Sequence, residues 1–66
     1  MRVTLNGEPF EAATGTTLAL LLDRLEMGGD RVAAAVNGEV VPRREHATRA
    51  LREGDVIEVI HAVAGG

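Results

Sequence analysis

The segment that most constrains the fold is the last β-rich one. Residues 56–63 read VIEVIHAV, a nearly continuous run of apolar and β-branched residues. Such a run is typical of a strand at the centre of a sheet, because both faces of a central strand can be covered. A chain of 66 residues has room for one hydrophobic core. We therefore expect the other segments to pair with this strand or to pack on it.

Two Asn-Gly pairs predict two β-hairpins. Asn and Gly tolerate the positive φ angles of a two-residue hairpin turn. Asn6-Gly7 separates the alternating residues 2–5 from a returning strand at 9–12, where Pro9 fits an edge position since it has no N–H for a ladder. Asn37-Gly38 separates residues 32–36 from residues 39–41. Pro42 is expected to end the second pairing.

A single amphipathic helix is predicted between the hairpins. Thr16 or Thr17 can act as the N-cap. Gly28-Gly29 is expected to stop the helix, because a glycine after the last turn adopts a left-handed backbone without a Cβ penalty. The expected buried face consists of leucines at positions i, i+3, i+4 and i+7, which are Leu18, Leu21, Leu22 and Leu25.

This order of elements predicts an α+β fold of the β-grasp, ubiquitin-like class. Its mixed sheet carries one main helix on one face, in the order ββαββ(short helix)β, and a right-handed crossover allows the last strand to lie parallel to the first. Residues 43–52 are expected to form an irregular connection with a short helical turn, anchored in the core by Leu51. We expect one domain at residues 1–63 and a flexible C-terminal tail at 64–66.

The last strand has more apolar residues than one covered face requires. If Ile57, Val59 and Val63 face the helix, alternation places a second set on the opposite face. Exposed apolar residues that lead towards a flexible end indicate a docking surface. Alternatively, the connection at 43–52 folds over them. The second set comprises Val56, Ile60 and Ala62.

Charge and composition exclude several classes of function. The net charge of −3, with acidic and basic residues interspersed and Phe10 as the one aromatic residue, lacks the basic footprint of a nucleic-acid-binding protein. The chain has no Cys, which excludes disulfides and thiolate metal sites. His46 and His61 are not at metal-ligand spacing, and we expect both in surface or interface packing. No metal site is predicted.

Two further features concern location and reactivity. No apolar run is long enough for a membrane span, and the N-terminus lacks the pattern of a secretion signal, so a cytoplasmic protein without a membrane partner is expected. Nothing in the sequence places a carboxylate and a nucleophile in one pocket. A domain of this size rarely encloses a substrate cavity, so we expect a protein substrate and not an enzyme.

The second half of the chain resembles the ThiS family, the sulfur carriers of thiamine (thiazole) biosynthesis. The length and the order of the elements also match this family. The resemblance rests on three stretches that occur in this order: 36–43 (VNGEVVPR), 51–60 (LREGDVIEVI) and 62–66 (AVAGG). The first two contain Asn-Gly, Val-Pro-Arg and Gly-Asp elements, and the third ends in Gly-Gly.

The resemblance implies a chemistry carried by the C-terminus. The carboxylate of Gly66 is expected to be adenylated by an ATP-dependent, ubiquitin-activating-like (ThiF-like) adenylyltransferase and converted to a thiocarboxylate. The sulfur would come from a donor such as a cysteine desulfurase, and a ThiG-like thiazole synthase would use it. No bound cofactor is implied, since ATP with Mg is used by the activating enzyme. Gly65 and Ala64 belong to the tail, and the expected partner interface is Val56, Ile60, Ala62 and Val63.

Other functions remain open from the residues alone. A carrier similar to the small subunit of molybdopterin synthase, or a ubiquitin-like sulfur donor for tRNA thiolation, would have the same fold and tail. Transfer of Gly66 to lysines of target proteins is a further possibility. A non-catalytic β-grasp binding module belongs to another class, and such a module would not need its tail.

Overall fold

The computed structural model describes residues 1–27 and 32–61, which form strands, one α-helix and a short 3₁₀ helix. Their order is the predicted ββαββ(short helix)β, so this prediction is confirmed. The elements are β1 (Arg2–Leu5), β2 (Glu8–Glu11), α1 (Leu18–Arg24), β3 (Val32–Val36), β4 (Glu39–Val41), the 3₁₀ helix (Arg43–Glu45) and β5 (Val56–His61).

The five-stranded sheet has the order β2-β1-β5-β3-β4, which places β5 at its centre as predicted. β5 runs parallel to β1, with Thr4 opposite Val56, and antiparallel to β3, with Val32 opposite His61. Pro9 lies in β2, an edge strand, where its missing N–H leaves no gap in the ladder. β5 is therefore paired along both of its edges.

Both Asn-Gly pairs form hairpin turns. The φ angles are 49° at Asn6 and 84° at Gly7, and 53° at Asn37 and 85° at Gly38. Two successive positive φ angles are the geometry of the type I′ turn, whose twist matches that of the strands it joins. The registers of both hairpins follow from these turns, with Leu5 opposite Glu8 and Val36 opposite Glu39.

Helix α1 begins at the predicted cap and covers one face of the sheet. The Thr17 hydroxyl accepts a hydrogen bond of 3.2 Å from the Leu20 N–H. Leu25 is half-buried, whereas the other three predicted leucines are buried with residues of the sheet. Burying each side chain contributes about 1.5–3 kcal/mol. The buried apolar cluster consists of Val3, Leu18, Leu21, Leu22, Ala34, Val36, Leu51, Ile57 and Val59.

The helix ends earlier than predicted. Its last residue is Arg24, and Glu26 takes the left-handed backbone with a φ of 57°. The Glu26 N–H donates to the Asp23 carbonyl at 3.0 Å, and the Met27 N–H donates to the Leu22 carbonyl at 2.9 Å, which is the Schellman pattern. The prediction that Gly28-Gly29 stops the helix is therefore wrong, because these bonds end it before the pair. Gly28-Gly29 lies outside the described residues.

The connection at 43–52 packs against the start of the helix and not over the sheet. The Leu18 N–H donates to the Arg49 carbonyl and the Ala19 N–H donates to the His46 carbonyl, both at 2.9 Å. The Leu51 N–H donates to the Thr16 carbonyl at 2.9 Å, and Leu51 is buried as predicted. The connection thus gives partners to helical N–H groups that have none inside the helix.

The buried side chain of His46 holds the connection at 43–52 against the end of β4. Its ring is buried, and Nε2 donates to the carbonyl of Val41, 3.0 Å away, at the end of β4. The expectation of surface packing is wrong for His46, because the path of the connection encloses it. His61, at the end of β5, is exposed. Neither helix in the described part of the chain is long and apolar enough to cross a membrane.

Candidate functional site

The candidate site begins where β5 ends. The pairing of β5 with β3 reaches His61, which pairs with Val32 and is the last described residue before the C-terminal segment. The predicted carrier residues of that segment, and two of its predicted interface residues, lie outside the described residues. They are Ala62, Val63, Ala64, Gly65 and Gly66. What the structure describes is the strand from which this segment continues.

Two asparagine side chains hold the backbone of β5. The Val59 N–H donates to Asn6 Oδ1 at 2.8 Å, next to the point where the pairing with β1 ends. On the other side, the Val56 N–H donates to Asn37 Oδ1 at 2.9 Å, and the Asn37 N–H donates to the Val56 carbonyl at 2.7 Å. The sequence indicates a turn role for each asparagine. Their second role, as hydrogen-bond partners of the β5 backbone, depends on the position of β5 in the sheet.

The buried carboxylate of Asp55 accepts two hydrogen bonds just before β5 begins. Asp55 Oδ1 accepts a hydrogen bond of 3.0 Å from Asn37 Nδ2, and Asp55 Oδ2 accepts one of 2.8 Å from the Arg52 N–H. Asp55 is buried, so these donors replace the water that its carboxylate would otherwise bind. Turn, connection and strand are thereby fixed to one another at the point where β5 begins.

The side chains of β5 alternate between a buried face and an exposed face. Ile57 and Val59 point into the core, with 0% and 7% of their surface exposed. Val56 and Ile60 point away from the helix, with 44% and 66% exposed. The predicted alternation is confirmed for these four residues. The connection at 43–52 does not cover the second pair, since it packs at the start of α1.

The exposed apolar face of β5 extends across two neighbouring strands. In the sheet register Ala33 lies opposite Ile60, and Ala35 lies opposite Val40, which is 76% exposed. We define these residues together with Val56 as the outer apolar face. Val40 and the two alanines are not among the predicted interface residues, because placing them on this face requires the strand register as well as the alternation in each strand.

The outer apolar face contains a shallow depression of about 70 Å³. Its lining residues are Ala33, Ala34, Ala35, Val40, Glu58 and Ile60. The alanines form the low part, since short side chains lie between the larger Val40 and Ile60. Among the described residues that line it, Glu58 is the one that carries a charge. Such a surface can accept an apolar side chain of a partner, but it is too shallow to enclose a substrate.

A second cleft lies at the outer edge of the sheet. It has a volume of about 150 Å³ and is lined by apolar residues, two glutamates and Arg49. No group of three His, Cys, Asp or Glu side chains suited to a metal ion occurs within residues 1–27 and 32–61. The cleft residues are Val36, Glu39, Val40, Val41, Pro42, Glu45 and Arg49.

These observations define the class of the protein first. A mixed five-stranded sheet with one helix on one face, and a central last strand parallel to the first, is the β-grasp fold of ubiquitin-like proteins. The crystal structure of the thiamine biosynthesis protein ThiS from Geobacter metallireducens has this architecture. It superposes with a TM-score of 0.83 at 29% identity, over 100% of both chains.

The sequence comparisons narrow this class to a family. Residues 3–66 match the model of the ThiS family, and the chain belongs to that family. The sulfur carrier protein ThiS of Escherichia coli is 32% identical over 66 residues, which are 100% of both proteins. That relative is named as a carrier and not as a catalyst, in agreement with the expectation that this chain is not an enzyme.

A third relative is a larger protein. The thiazole synthase of Magnetococcus marinus is 44% identical over 66 residues, which are 100% of this chain but 20% of that protein. This chain therefore spans about a fifth of the length of that relative. In the relative, a segment similar to this chain is covalently part of a protein named as a synthase.

Proposed function

We propose that this protein is the sulfur carrier of thiazole formation in thiamine biosynthesis, and that the carboxylate of Gly66 is its working group. The observation that carries the proposal is the match to the sulfur carrier of Escherichia coli along the whole of both chains. The chain carries sulfur without cysteine, because the sulfur replaces an oxygen of the terminal carboxylate.

The chemistry requires activation of Gly66. A carboxylate is a poor electrophile, since oxide would have to leave. Adenylation joins a carboxylate oxygen to the α-phosphorus of ATP and releases pyrophosphate, and a sulfur nucleophile then displaces AMP. The product is a thiocarboxylate. Gly65 and Gly66 lack Cβ atoms, so the tail can enter a narrow channel in an enzyme and adopt backbone angles closed to other residues.

Three partners follow from this chemistry. A ThiF-like adenylyltransferase uses ATP with Mg to activate Gly66, a donor such as a cysteine desulfurase supplies sulfur, and a ThiG-like thiazole synthase accepts it. The last partner is supported by the relative in which a segment like this chain is part of a thiazole synthase. The carrier itself holds no cofactor. The cytoplasm is the proposed location of these reactions.

The outer apolar face is the docking surface in this proposal. An enzyme that acts on Gly66 must hold the tail, which continues directly from β5, and Val56 and Ile60 are exposed on that strand. The depression beside Ile60 can accept an apolar side chain of the enzyme. Ala62 and Val63 would extend the contact from the strand to the tail. Burial of the exposed part of Ile60 would contribute about 1–2 kcal/mol to docking.

Intact-mass measurement tests the proposal directly. The purified chain is incubated with a ThiF-like enzyme, Mg-ATP, cysteine and a cysteine desulfurase, and the enzyme is shown to be active on another carrier. We expect a gain of about 16 mass units, the difference between sulfur and oxygen, confined to the peptide that contains Gly66. No gain under these conditions would contradict the assignment and favour the binding-module alternative.

A further inference from the structure

Every cationic side chain of this protein is an arginine. All seven residues counted as Lys or Arg are Arg, so no side chain carries a primary amine. The arginines in the described part of the chain are exposed. They are Arg2, Arg24, Arg43, Arg44, Arg49 and Arg52.

Three of these arginines make contacts that do not require a guanidinium. The Arg2 guanidinium forms one hydrogen bond, from Nε to Glu11 Oε1 at 3.2 Å. Arg44 lies 3.9 Å from the Glu45 carboxylate, with 82% of its side chain exposed. Arg24 stacks over the Phe10 ring, 5.5 Å from its centroid. An ammonium group can also make one hydrogen bond, one ion pair or one cation–π contact. The fold therefore does not explain why lysine is avoided at these positions.

The nitrogen of Met1 is also engaged. It donates to the Ala12 carbonyl at 2.7 Å and lies 3.9 Å from Glu11 Oε2, and 7% of the Met1 side chain is exposed. Both contacts hold this amine in a partly buried position.

The reactivity of the adenylated tail makes the choice between arginine and lysine important. This part of the inference rests on the proposed function. The adenylate of Gly66 is an electrophile that an amine can attack as well as sulfur can. In that reaction a C–N bond forms, the C–O bond to AMP breaks, and the amine loses a proton. The product is a stable amide, which cannot carry sulfur. A guanidinium stays protonated in proteins and does not undergo this reaction at neutral pH.

We propose that the exclusive use of arginine determines the specificity of the activated carrier for sulfur over amines. An adenylated tail meets no lysine on another copy of the chain, so self-conjugation through a side chain is blocked and the adenylate remains available to the sulfur donor. The exposed positions keep the positive charge that the surface contacts require, without a nucleophile.

The test introduces one amine at a time. Arg44→Lys and Arg2→Lys add an amine at exposed positions, and Arg44→Gln and Arg2→Gln are matched controls that remove the cation without adding an amine. Each protein is incubated with a ThiF-like enzyme and Mg-ATP in the absence of a sulfur donor. Pyrophosphate–ATP exchange measures activation. Denaturing gels and mass spectrometry detect a species with the mass of two chains less one water.

The expected result is such a species from the lysine variants and none from the wild type or the glutamine variants. Peptide mapping should place the new bond between the Gly66 carbonyl and the introduced Nζ. Either of two outcomes overturns the inference while activation is intact: the wild type forms the species as readily, or neither lysine variant forms it. Absence of pyrophosphate exchange in every protein would instead refute the proposed function, and with it this inference.

Discussion

Glu26 shows how one residue can occupy an unfavourable backbone conformation in this small fold. Its φ of 57° lies in the left-handed region, which costs an L-residue with a Cβ about 1–2 kcal/mol. The hydrogen bonds of the Schellman pattern at Glu26 and Met27 stabilise this conformation. Glu26 is exposed, so its side chain adds little packing in return.

Glu26→Gly is therefore expected to stabilise the protein. Glycine removes the Cβ strain but increases the entropy of the unfolded chain, and the net gain should be about 1 kcal/mol. Urea unfolding followed by circular dichroism measures this change. Glu26→Ala keeps the Cβ and is the matched control, which we expect to gain much less. Equal stability of the two variants would show that the backbone at Glu26 is not strained.

Asn6 and Asn37 occupy the same kind of turn but differ in their side-chain contacts. The side chain of Asn6 accepts one hydrogen bond from β5, from the Val59 N–H. Asn37 accepts one from the Val56 N–H and also donates from Nδ2 to Asp55 Oδ1 at 3.0 Å. The amide of Asn37 is thus needed as a donor, whereas that of Asn6 is not.

This difference predicts unequal effects of one chemical change. Asn37→Asp replaces the donor with a carboxylate beside buried Asp55, and we expect a loss of about 1–3 kcal/mol at neutral pH. Asn6→Asp keeps the acceptor for Val59, and its unfolding free energy should change by less than about 0.5 kcal/mol. Thermal or urea unfolding of both variants gives the comparison. Similar losses at the two sites would contradict the role assigned to the Asn37–Asp55 bond.

At the scale of elements, β5 combines a structural role on one face with the proposed docking role on the opposite face. Ile57 belongs to the core that α1 covers, whereas Ile60 belongs to the outer apolar face. Two side chains of the same type, three positions apart, therefore test the two roles separately. Leu20, exposed on α1 at 54%, is a third apolar side chain that lies outside the outer apolar face.

Ile60→Glu should weaken docking and leave the fold intact. We expect unfolding within about 0.5 kcal/mol of the wild type, and a Kd for the activating enzyme about tenfold higher. Ile57→Glu places a charge in the core and should lose more than about 3 kcal/mol, enough to unfold so small a protein. Leu20→Glu is the control that should change neither property. Circular dichroism and titration calorimetry measure both. Unfolding of Ile60→Glu would show that this side chain belongs to the core.

The connection at 43–52 shows where elements depend on one another. Its polar sequence indicates an irregular segment, and Leu51 indicates one anchor. Which surface it covers is decided by the hydrogen bonds from Leu18 and Ala19 to its carbonyls. By packing at the start of the seven-residue helix it leaves the outer apolar face open.

For the whole molecule, the fold and the proposed chemistry occupy different parts of the chain. The core is formed by residues from Val3 to Val59, whereas the proposed working group is Gly66. A change in the tail should therefore alter activation without altering stability.

Gly66→Ala tests this separation. We expect unfolding equal to that of the wild type, because no core residue changes. We expect adenylation to be about a hundredfold slower, since a Cβ beside the carboxylate displaces the reacting group. Pyrophosphate–ATP exchange with the activating enzyme measures the rate, and circular dichroism controls for folding. An unchanged exchange rate would count heavily against Gly66 as the activated residue.

The sequence determined the features that depend on near neighbours along the chain. Turn chemistry set both hairpins through Asn6-Gly7 and Asn37-Gly38, helical spacing set the buried leucines, and alternation set the two faces of β5. The apolar residues of 56–63 predicted the central position of β5, and the structure confirms that position although the outer face of the strand is exposed. The role of Gly66 remains a prediction from the family.

The tertiary structure decided what depends on residues far apart in sequence. Burial of His46 follows from the path of the 43–52 connection, and the second role of Asn37 follows from its pairing with residues 55 and 56. Val40 and Ile60 share one face of the sheet, and this can be seen only from the register of the strands. These contacts cannot be read from local patterns, since each forms only after the chain has brought separate strands together.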